Sequence, residues 1–528
     1  MCGIFGVISS KDRPELGAIV ASALNQMQNR GDYSAGVATI RKLKFSRKEY
    51  RRLRAIAVSH TLEDFNPFEV VRGVGKVSDV FKDKEAEAQK LKGFMGIGQV
   101  RYPTAGYTFL QEAEQLCEAE KEKMKVESIQ PLIAPFYKVS MVHNGDVHNF
   151  KEIIEQFASQ GLRQATNNDL EAILKVFNQE FFGQPENTEV VERVGKSVKG
   201  VLERVKGTYS VLTMVNNVGL VAFRDPRGRR PLFFGVNKEG DKVIDYAFSS
   251  ETVALEKMLF KGTKEKKYVT GKSAYDEVKP GELILITKDF EMHRRQIVEP
   301  QLFFCPFEAS YFMRASSFIN DKRVKTIRRE LLDLMWKRFE AERPEKYQHL
   351  IENKDKVVIA PVPRTAESAA IELANKSRAL GFSYENAIEK NPFSSRIFMQ
   401  PTQKHRDLQT IDEHYIYEED VKDKIVIVVD DSIVRGTTLK HDVKYFRDIG
   451  ASQVHLFITF PEIRNPCMHA IDFHTNKELF AYGKSLEQMK QELGLRENES
   501  LVYTRPEELS KAIGLEKQNL CDECYKIM

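Results

Sequence analysis

The stretch that decides the fold of the carboxyl-terminal half of this chain is IVIVVDDSIVRGTT, residues 425–438. Its first five residues are isoleucine or valine, which is typical of a strand buried on both faces of a parallel sheet. Asp430 and Asp431 follow where that strand would end, and a loop rich in hydroxyls and glycine leads to a helical pattern from Leu439. Because open α/β sheets bind ligands beyond the carboxyl ends of their strands, the stretch predicts a ligand site at 430–438.

The residue types of this loop indicate the chemistry of the ligand. Small residues over 432–438 allow backbone N–H groups to point inward as a cradle for an anion. Two adjacent carboxylates would repel a phosphate, but they suit sugar hydroxyls or a metal ion beside it. The predicted ligand is therefore a sugar phosphate, bound together with Mg²⁺. The plainer alternative, a buried strand followed by a solvated acidic turn, is disfavoured by the length of the run.

The same run closely resembles the signature with which type I phosphoribosyltransferases bind phosphoribosylpyrophosphate (PRPP). That resemblance implies that Asp430 and Asp431 hold the ribose hydroxyls and that, with Thr365, they hold Mg²⁺. It assigns the 5′-phosphate to the loop residues Ser432, Arg435, Gly436, Thr437 and Thr438.

The overall composition limits the classes of protein to consider. At 528 residues the chain should contain at least two domains, and a net charge of +4 suggests neither a nucleic acid nor a membrane surface as partner. No apolar run approaches the ~20 residues that a membrane span needs, and no secretory signal opens the chain. We therefore expect a cytoplasmic protein whose cysteines stay reduced, so that metal binding or catalysis outranks disulfides.

The amino terminus places a cysteine at position 2, followed by glycine and an apolar run. Removal of Met1 would leave Cys2 with a thiol and a free α-amine, whose unperturbed pKa is roughly 7.7–8.0. One residue would then supply both a nucleophile and a base. Taken alone, such a cysteine is more often an ordinary residue at the start of a strand.

Four later stretches strengthen the catalytic interpretation of Cys2: RGDYSAG (30–36), GQVRYPTAG (98–106), HNGD (143–146) and NND (167–169). The second offers Arg101, which could clamp a carboxylate, and the last offers Asp169, which could hold an ammonium group. In the third, the Asn144 amide and the Gly145 N–H could form an oxyanion hole. Each stretch taken alone has a simpler structural explanation, as a turn, a surface salt bridge or a helix N-cap.

Together with Cys2 they resemble the class II, N-terminal-nucleophile glutamine amidotransferases. The resemblance implies an α+β domain, an αββα sandwich, in which Cys2 attacks glutamine and releases ammonia. Arg101 would bind the glutamine α-carboxylate and Asp169 its α-amine, while Asn144 and Gly145 stabilise the oxyanion. The chain departs from that family at Asp32-Tyr33, where Gln-Glu is common, and at Gln99, where His is common.

The order of the two halves resembles the glutamine PRPP amidotransferases, or amidophosphoribosyltransferases. Alternating strand and helix patterns in the second half predict an α/β doubly wound sheet. The implied reaction turns glutamine, PRPP and water into 5-phosphoribosylamine, glutamate and pyrophosphate, the first step of purine synthesis, with ammonia passing internally. The predicted domains are 2–260 (glutaminase), 261–300 (connecting segment), 301–480 (phosphoribosyltransferase) and 481–528 (C-terminal helical segment). Purine-nucleotide feedback inhibitors and a homo-oligomer, either dimer or tetramer, are further expectations from this family.

The second half departs more from the family than the first half. Its flexible loop reads KNPFSSRIF (390–398) where Lys-Asn-Arg-Tyr-Val-Gly-Arg-Thr-Phe is usual, and residues 407–420 are acidic where the family is basic. Two alternatives therefore stay open, a PRPP-binding regulatory paralogue and a glutaminase with weakened transferase activity. Two charged inserts, 41–66 and 111–127, are better explained as solvated helical faces than as nucleic-acid contacts.

The remaining cysteines suggest a metal. CDEC (521–524) could be structural, redox-active or half of a metal site. Together with two distant cysteines it matches the positions that ligate a [4Fe–4S] cluster in one branch of the amidotransferase family: Cys305, Cys467, Cys521 and Cys524. The cluster is favoured on that resemblance, with zinc and no metal as alternatives.

Overall fold

A computed structural model describes residues 2–41, 67–82, 90–102, 126–134, 139–185, 187–259, 275–377, 380–391, 413–469, 471, 473 and 475–527. The chain forms two compact units, one running up to Phe304 with the short segment 468–471, and the other containing the rest of the chain from Cys305. The predicted inserts at 41–66 and 111–127 lie almost entirely outside the described residues, and the altered loop residues 392–397 lie wholly outside them.

The first unit is built on two antiparallel sheets. Its strands are β1 (Gly3–Arg13), β2 (Ser34–Ile40), β3 (Phe68–Val74), β4 (Gly93–Arg101), β5 (Leu132–Ala134), β6 (Val139–Val147), β7 (Gly207–Val215), β8 (Gly219–Arg224), β9 (Phe233–Glu239), β10 (Lys242–Ser249), β11 (Tyr275–Glu277), β12 (Glu282–Thr287) and β13 (Met292–Gln296). One sheet has the order β11–β9–β10–β1–β4–β2–β3, and the other has the order β13–β12–β8–β7–β6–β5. The helices are α1 (Leu16–Gln26), α2 (Val77–Val80), α3 (Phe150–Ser159), α4 (Leu170–Phe182), α5 (Val190–Arg204) and α6 (Thr252–Leu259).

Hydrophobic residues of both sheets meet in a central layer of this unit. Ile4 and Ile97 from one sheet pack in a single buried cluster with Val142 and Leu212 from the other. Alternate strand residues point to the opposite faces, which the helices cover; α4 and α5 pack on the second sheet and α1 lies on the first. The resulting order of layers is helix, sheet, sheet, helix, which confirms the predicted αββα sandwich.

The second unit contains an open parallel sheet. The described strands of the whole unit are β14 (Phe318–Ile319), β15 (Lys322–Arg323), β16 (Val357–Pro361), β17 (Ser383–Tyr384), β18 (Ile388–Lys390), β19 (His414–Ile416), β20 (Ile425–Asp430), β21 (Gln453–Ile458) and β22 (Leu501–Tyr503). The helices are α7 (Val324–Glu342), α8 (Pro344–Glu352), α9 (Glu367–Ser377), α10 (Glu418–Val421), α11 (Thr437–Asp448), α12 (Leu486–Glu492) and α13 (Pro506–Ile513). The sheet has the order β17–β16–β20–β21–β22, and all of its pairs are parallel.

The central strand β20 is buried on both faces, as its run of branched residues predicts. Val426 and Val428 pack with α11 on one face, whereas Ile425 and Ile427 pack with α7 and α9 on the other. Strands β16 and β20 are neighbours, although β17 comes between them in sequence, so the strand order reverses there. In a doubly wound sheet that reversal opens a crevice beyond the strand ends. The predicted α/β doubly wound class is confirmed.

Two elements differ from the sequence-based expectations. Helix α11 begins at Thr437, two residues before Leu439, because Gly436 takes a left-handed conformation that starts the helix directly. Strand β22 belongs to the parallel sheet although it lies within 481–528, which was expected to be a helical segment. The four-part division of the chain stays a prediction. Among the described residues, no helix is both long and apolar enough to cross a membrane.

Candidate functional site

Cys2 lies directly before β1 and is 5% exposed. Its backbone nitrogen donates a hydrogen bond to Asn144 Oδ1 at 3.3 Å, and its carbonyl accepts one from Arg30 Nε at 2.8 Å. Arg30 in turn pairs with Glu251 at 3.2 Å, with both side chains fully buried. The fold thus brings the predicted nucleophile beside the predicted oxyanion residue, 142 positions away in sequence.

Asn144 and Gly145 stand near the end of β6, next to β7. Asn144 Nδ2 lies 3.5 Å from Ser250 Oγ, which accepts a hydrogen bond from Ile4 N at 3.1 Å. A Cβ added to Gly145 would clash with the carbonyl oxygen of Thr208 on β7. Glycine is therefore required at position 145 for the close approach of the two strands.

Asp169 directly precedes α4, and its carboxylate is buried. Asp169 Oδ2 accepts a hydrogen bond from Val147 N at 3.0 Å and lies 3.2 Å from His143 Nε2. Burial by itself raises the pKa of Asp169, but His143 and then Arg101 outweigh that effect and hold the pKa below its ordinary value. The carboxylate is thus ionised at neutral pH, as the binding of an ammonium group requires.

Arg101 ends β4, and its guanidinium is almost buried. Arg101 Nη1 donates to the Ser128 carbonyl at 3.2 Å. A Cβ on Gly31 would clash with the Arg101 backbone, so the RGD turn at 30–32 packs against this strand end. Since Arg101 also lowers the pKa of Asp169, the predicted partners of the glutamine α-carboxylate and α-amine lie within electrostatic reach of each other.

His143 and Gln130 were missed as site residues. The Gln130 side chain accepts from His143 N at 2.8 Å and lies 2.7 Å from His143 Nδ1, so it helps to orient the ring that faces Asp169. Gln99, a departure from the family, donates to the His143 carbonyl at 2.6 Å. The position of His143 beside Asn144 was a usable signal, whereas nothing in the sequence around Gln130 pointed to this role.

In the second unit, Asp430 and Asp431 lie at the end of β20, and Thr365 follows β16 across the reversal of strand order. The Thr365 hydroxyl donates to Asp431 Oδ2, and Ser432 Oγ donates to Asp431 Oδ1 at 2.7 Å. Asp431 N donates to Asp430 Oδ1 at 2.8 Å. The three residues predicted to hold Mg²⁺ therefore come together at the crevice.

The carboxylates at the end of β20 are buried close to one another and repel each other. Burial raises the pKa of Asp430 well above its ordinary value, and the carboxylates of Asp431, Asp442 and Glu413 add to the shift. Burial also raises the pKa of Asp431, although the hydroxyls of Thr365 and Ser432 oppose it. Carboxylates in such an environment favour a cation or sugar hydroxyls as partners, and their oxygens suit Mg²⁺.

The loop that follows carries the predicted phosphate-binding residues. Gly436 has a φ of +76°, and a Cβ there would lie 2.5 Å from the Phe480 ring, so glycine is required on both counts. The Arg435 guanidinium forms an ion pair with Glu478, and Thr438 Oγ1 donates to Glu413 Oε2 at 3.3 Å. The assignment of this loop to a phosphate stays a prediction, and the structure adds two acidic partners to it, Glu478 and Glu413.

The cysteines expected to bind a cluster, Cys305, Cys467, Cys521 and Cys524, are all buried and form no disulfide. Burial raises the pKa of Cys524, and the three other thiols raise it further, so the four groups lie within electrostatic reach of one another. In the described part of the chain, however, no set of three His, Cys, Asp or Glu side chains has the spacing of a formed metal site. The thiols are near one another, but they do not form such a group.

Comparisons with known proteins agree with this architecture. A family model of the glutamine amidotransferase domain matches residues 120–257. The amidophosphoribosyltransferase of Haemophilus influenzae is 30% identical over 98% of this chain and 89% of its own length. The solved glutamine PRPP amidotransferase from Bacillus subtilis, complexed with ADP and GMP, gives a TM-score of 0.72 at 26% identity, covering 99% of this chain and 96% of its own. A solved structure of an allosteric regulatory enzyme of purine biosynthesis gives a TM-score of 0.74, also at 26% identity, over 99% and 95% of the two chains.

The similarity covers nearly the whole length of each compared chain, and it includes both the sandwich and the parallel sheet. The predicted family and the predicted order of its two halves are therefore confirmed: this chain belongs to the amidophosphoribosyltransferase family.

Proposed function

We propose that this chain converts glutamine, PRPP and water into 5-phosphoribosylamine, glutamate and pyrophosphate, the first step of purine synthesis. The observation that carries the proposal is the presence of two assembled sites on one chain. One gathers Cys2, Asn144 and Arg30, and the other gathers Thr365 and Asp431 at the reversal of strand order. A glutaminase alone would not need the second site.

In the glutaminase half, once Met1 is removed, the Cys2 thiol adds to the side-chain carbonyl carbon of glutamine and passes its proton to the freed α-amine of Cys2. Collapse of the tetrahedral intermediate breaks the C–N bond and releases ammonia with that proton. Water then hydrolyses the γ-glutamyl thioester to glutamate. The contact of Cys2 N with Asn144 Oδ1 at 3.3 Å supports a role of Asn144 and Gly145 at the oxyanion. Arg101 and the ionised Asp169 would bind the α-carboxylate and α-amine of glutamine.

In the transferase half, ammonia attacks C1 of PRPP, and the C1–O bond to pyrophosphate breaks with its electron pair leaving on pyrophosphate. Asp430 and Asp431 would orient the ribose hydroxyls, and the loop at 432–438 would bind the 5′-phosphate at the start of α11. Thr365, Asp430 and Asp431 would hold Mg²⁺, which supplies charge neutralisation of the departing pyrophosphate.

We further propose that the four buried cysteines bind a [4Fe–4S] cluster with a structural role. Thiolates are the ordinary ligands of such clusters, and the shared burial and mutual charge effects of these thiols support the assignment. Zinc is the alternative metal for the same donors. Cluster binding would require the thiols to rearrange, because no three such side chains in the described residues form a metal-holding group.

Regulation, assembly and location complete the proposal. The solved Bacillus subtilis enzyme is complexed with ADP and GMP, and we propose purine nucleotides as regulators of this chain too. A homo-oligomer, dimer or tetramer, and a cytoplasmic location complete the proposal. The alternative of a regulatory paralogue depended on the loop at 392–397, which lies outside the described residues.

The test is a comparison of nitrogen donors. Purified, reduced protein should form 5-phosphoribosylamine and pyrophosphate from PRPP and Mg²⁺ with either glutamine or ammonia. The Cys2→Ala variant should lose more than about 99% of the glutamine-driven rate, since the nucleophile is gone, but keep the ammonia-driven rate. Failure of the wild-type protein with both donors would reject the proposal. Glutaminase activity indifferent to PRPP would favour a different acceptor.

A further inference from the structure

Glu413 joins two segments of the second unit. It directly precedes β19, whose antiparallel partner β18 ends at Lys390. Glu413 Oε1 accepts a hydrogen bond from Lys390 Nζ at 2.6 Å, and Glu413 Oε2 accepts one from Thr438 Oγ1 at 3.3 Å. Both oxygens of a nearly buried carboxylate are therefore occupied by donors, one of which belongs to the loop at 432–438.

The neighbouring residue fixes this arrangement. His414 Nδ1 lies 2.8 Å from Asp442 Oδ2, and both side chains are almost fully buried. Asp442 follows Thr438 by four positions in α11, so the two residues lie on the same face of the helix. The consecutive residues Glu413 and His414 thus contact consecutive turns of α11, and the buried His414–Asp442 pair holds Glu413 against the start of the helix.

The location of Glu413 is one at which an anion would bind. The first N–H groups of a helix such as α11 have no partner within the helix and lie at the positive end of its dipole, which makes a helix start a common phosphate site. A ligand phosphate at this loop would meet the same donors, Lys390 and Thr438, that Glu413 already uses.

We infer that Glu413 is an internal competitor of PRPP: in the free chain its carboxylate occupies Thr438 of the phosphate-binding loop and the nearby Lys390, and thereby lowers the affinity for PRPP. The inference rests on the proposed function, because it requires PRPP at residues 430–438. Binding would exchange one anion for another, with Lys390 and the Thr438 hydroxyl passing from the carboxylate to the ligand. The rival explanation is a purely structural one, in which Glu413 only stabilises the helix start.

Calorimetric titration of the full-length protein with PRPP and Mg²⁺ distinguishes competition by Glu413 from a purely structural role. Glu413→Gln removes the charge but keeps an oxygen that can accept from Thr438. We expect it to bind PRPP about three- to tenfold more tightly, because one repulsive charge near the phosphate is lost. The KM for PRPP should fall in parallel without a rise in kcat. Glu413→Asp keeps the charge and should stay within about twofold of wild type.

Glu389→Gln is the matched control, since Glu389 lies on β18, is exposed and accepts a hydrogen bond from the Tyr417 hydroxyl. It should leave the affinity for PRPP unchanged. Unchanged or weaker PRPP binding by Glu413→Gln, with a lower melting temperature, would show a structural role and overturn the inference alone. Absence of PRPP binding by the wild-type protein would overturn both the inference and the proposed function.

Discussion

The Thr365 hydroxyl donates a hydrogen bond to Asp431, and the two residues come from the ends of neighbouring strands on either side of the reversal in strand order. The contact joins residues 66 positions apart in sequence. It matters because the crevice of a doubly wound sheet opens at this reversal, so a ligand of Asp430 and Asp431 must also face the loop that follows β16. The Mg²⁺ and PRPP assignments thus depend on the same feature of the sheet.

Asp430→Asn should stabilise the ligand-free protein and abolish its response to PRPP. Burial raises the pKa of Asp430, so the folded state binds its proton more tightly than the unfolded state does. Stability from this group is therefore complete below the ordinary carboxyl pKa of ~3.9 and is lost as pH rises through the raised value. At neutral pH the neutral amide removes that penalty, and we expect a gain of about 1 kcal/mol in the free energy of unfolding.

Thermal unfolding with and without PRPP and Mg²⁺ measures both effects. Asp448→Asn is the control, because Asp448 is exposed at the end of the same helix α11 and should change stability by less than about 0.5 kcal/mol. A destabilised Asp430→Asn protein that still gains stability from PRPP would contradict the assignment of Asp430 to the ligand.

Asp169→Asn should have the opposite effect on stability. The pKa of Asp169 is lowered, since His143 and Arg101 outweigh the effect of burial. Its ionised form thus stabilises the fold above the ordinary carboxyl pKa of ~3.9, and that stabilisation is lost as pH falls through the lowered value. The variant should lose about 1–3 kcal/mol at neutral pH, because a buried charge partner of His143 disappears.

The same variant should raise the KM for glutamine while leaving ammonia-driven synthesis intact. Asp241→Asn, in an exposed turn of the first unit, serves as the control for loss of charge alone. The prediction is wrong if Asp169→Asn keeps the wild-type KM for glutamine, or if its stability deficit persists undiminished at low pH.

The local patterns that could be predicted from sequence are those in which a few consecutive residues determine both structure and chemistry. The apolar run at 425–429 predicted a doubly buried strand, which the structure contains, whereas the ligand site after it stays a prediction. The Cys2 and Asn144 assignments came from resemblance, and their contact across 142 residues is a property of sheet pairing that no local pattern contains.

The missed residues share one trait: each acts through a contact that only the tertiary structure creates. Glu478 and Glu413 are ordinary charged residues in sequence, yet they contact Arg435 and Thr438 in the predicted phosphate-binding loop. Likewise, β22 is a strand of three residues that exists because β21 offers it an edge. The acidic residues around position 413 are visible in the sequence. That the Glu413 side chain contacts α11, however, depends on the buried His414–Asp442 pair.

The proposed cluster gives a prediction for metal content. Because the pKa of Cys524 is raised, its thiol is protonated at neutral pH in the metal-free chain, so binding should release protons and tighten as pH rises. Reconstitution with iron and sulfide under reducing, oxygen-free conditions should load on the order of four iron atoms per chain. Cys521→Ser should abolish loading and lower the melting temperature of the reconstituted protein. Cys2→Ala should load normally, and zinc without iron in freshly purified protein would identify zinc as the metal.

Gly145→Ala tests the packing at the proposed oxyanion site. The new methyl group would clash with the carbonyl oxygen of Thr208, so β6 and β7 must separate locally at a cost of about 1–3 kcal/mol. Because Asn144 lies next to this displaced strand, glutamine-driven synthesis should fall far more than ammonia-driven synthesis, and the ratio of the two rates is the measurement. Gly195→Ala is the matched control, since Gly195 lies within α5 with open space around it, and alanine there should stabilise the protein by about 0.5–1 kcal/mol. If Gly145→Ala keeps the wild-type ratio of glutamine-driven to ammonia-driven synthesis, the close approach of β6 and β7 is not needed for catalysis. The oxyanion donors would then lie elsewhere.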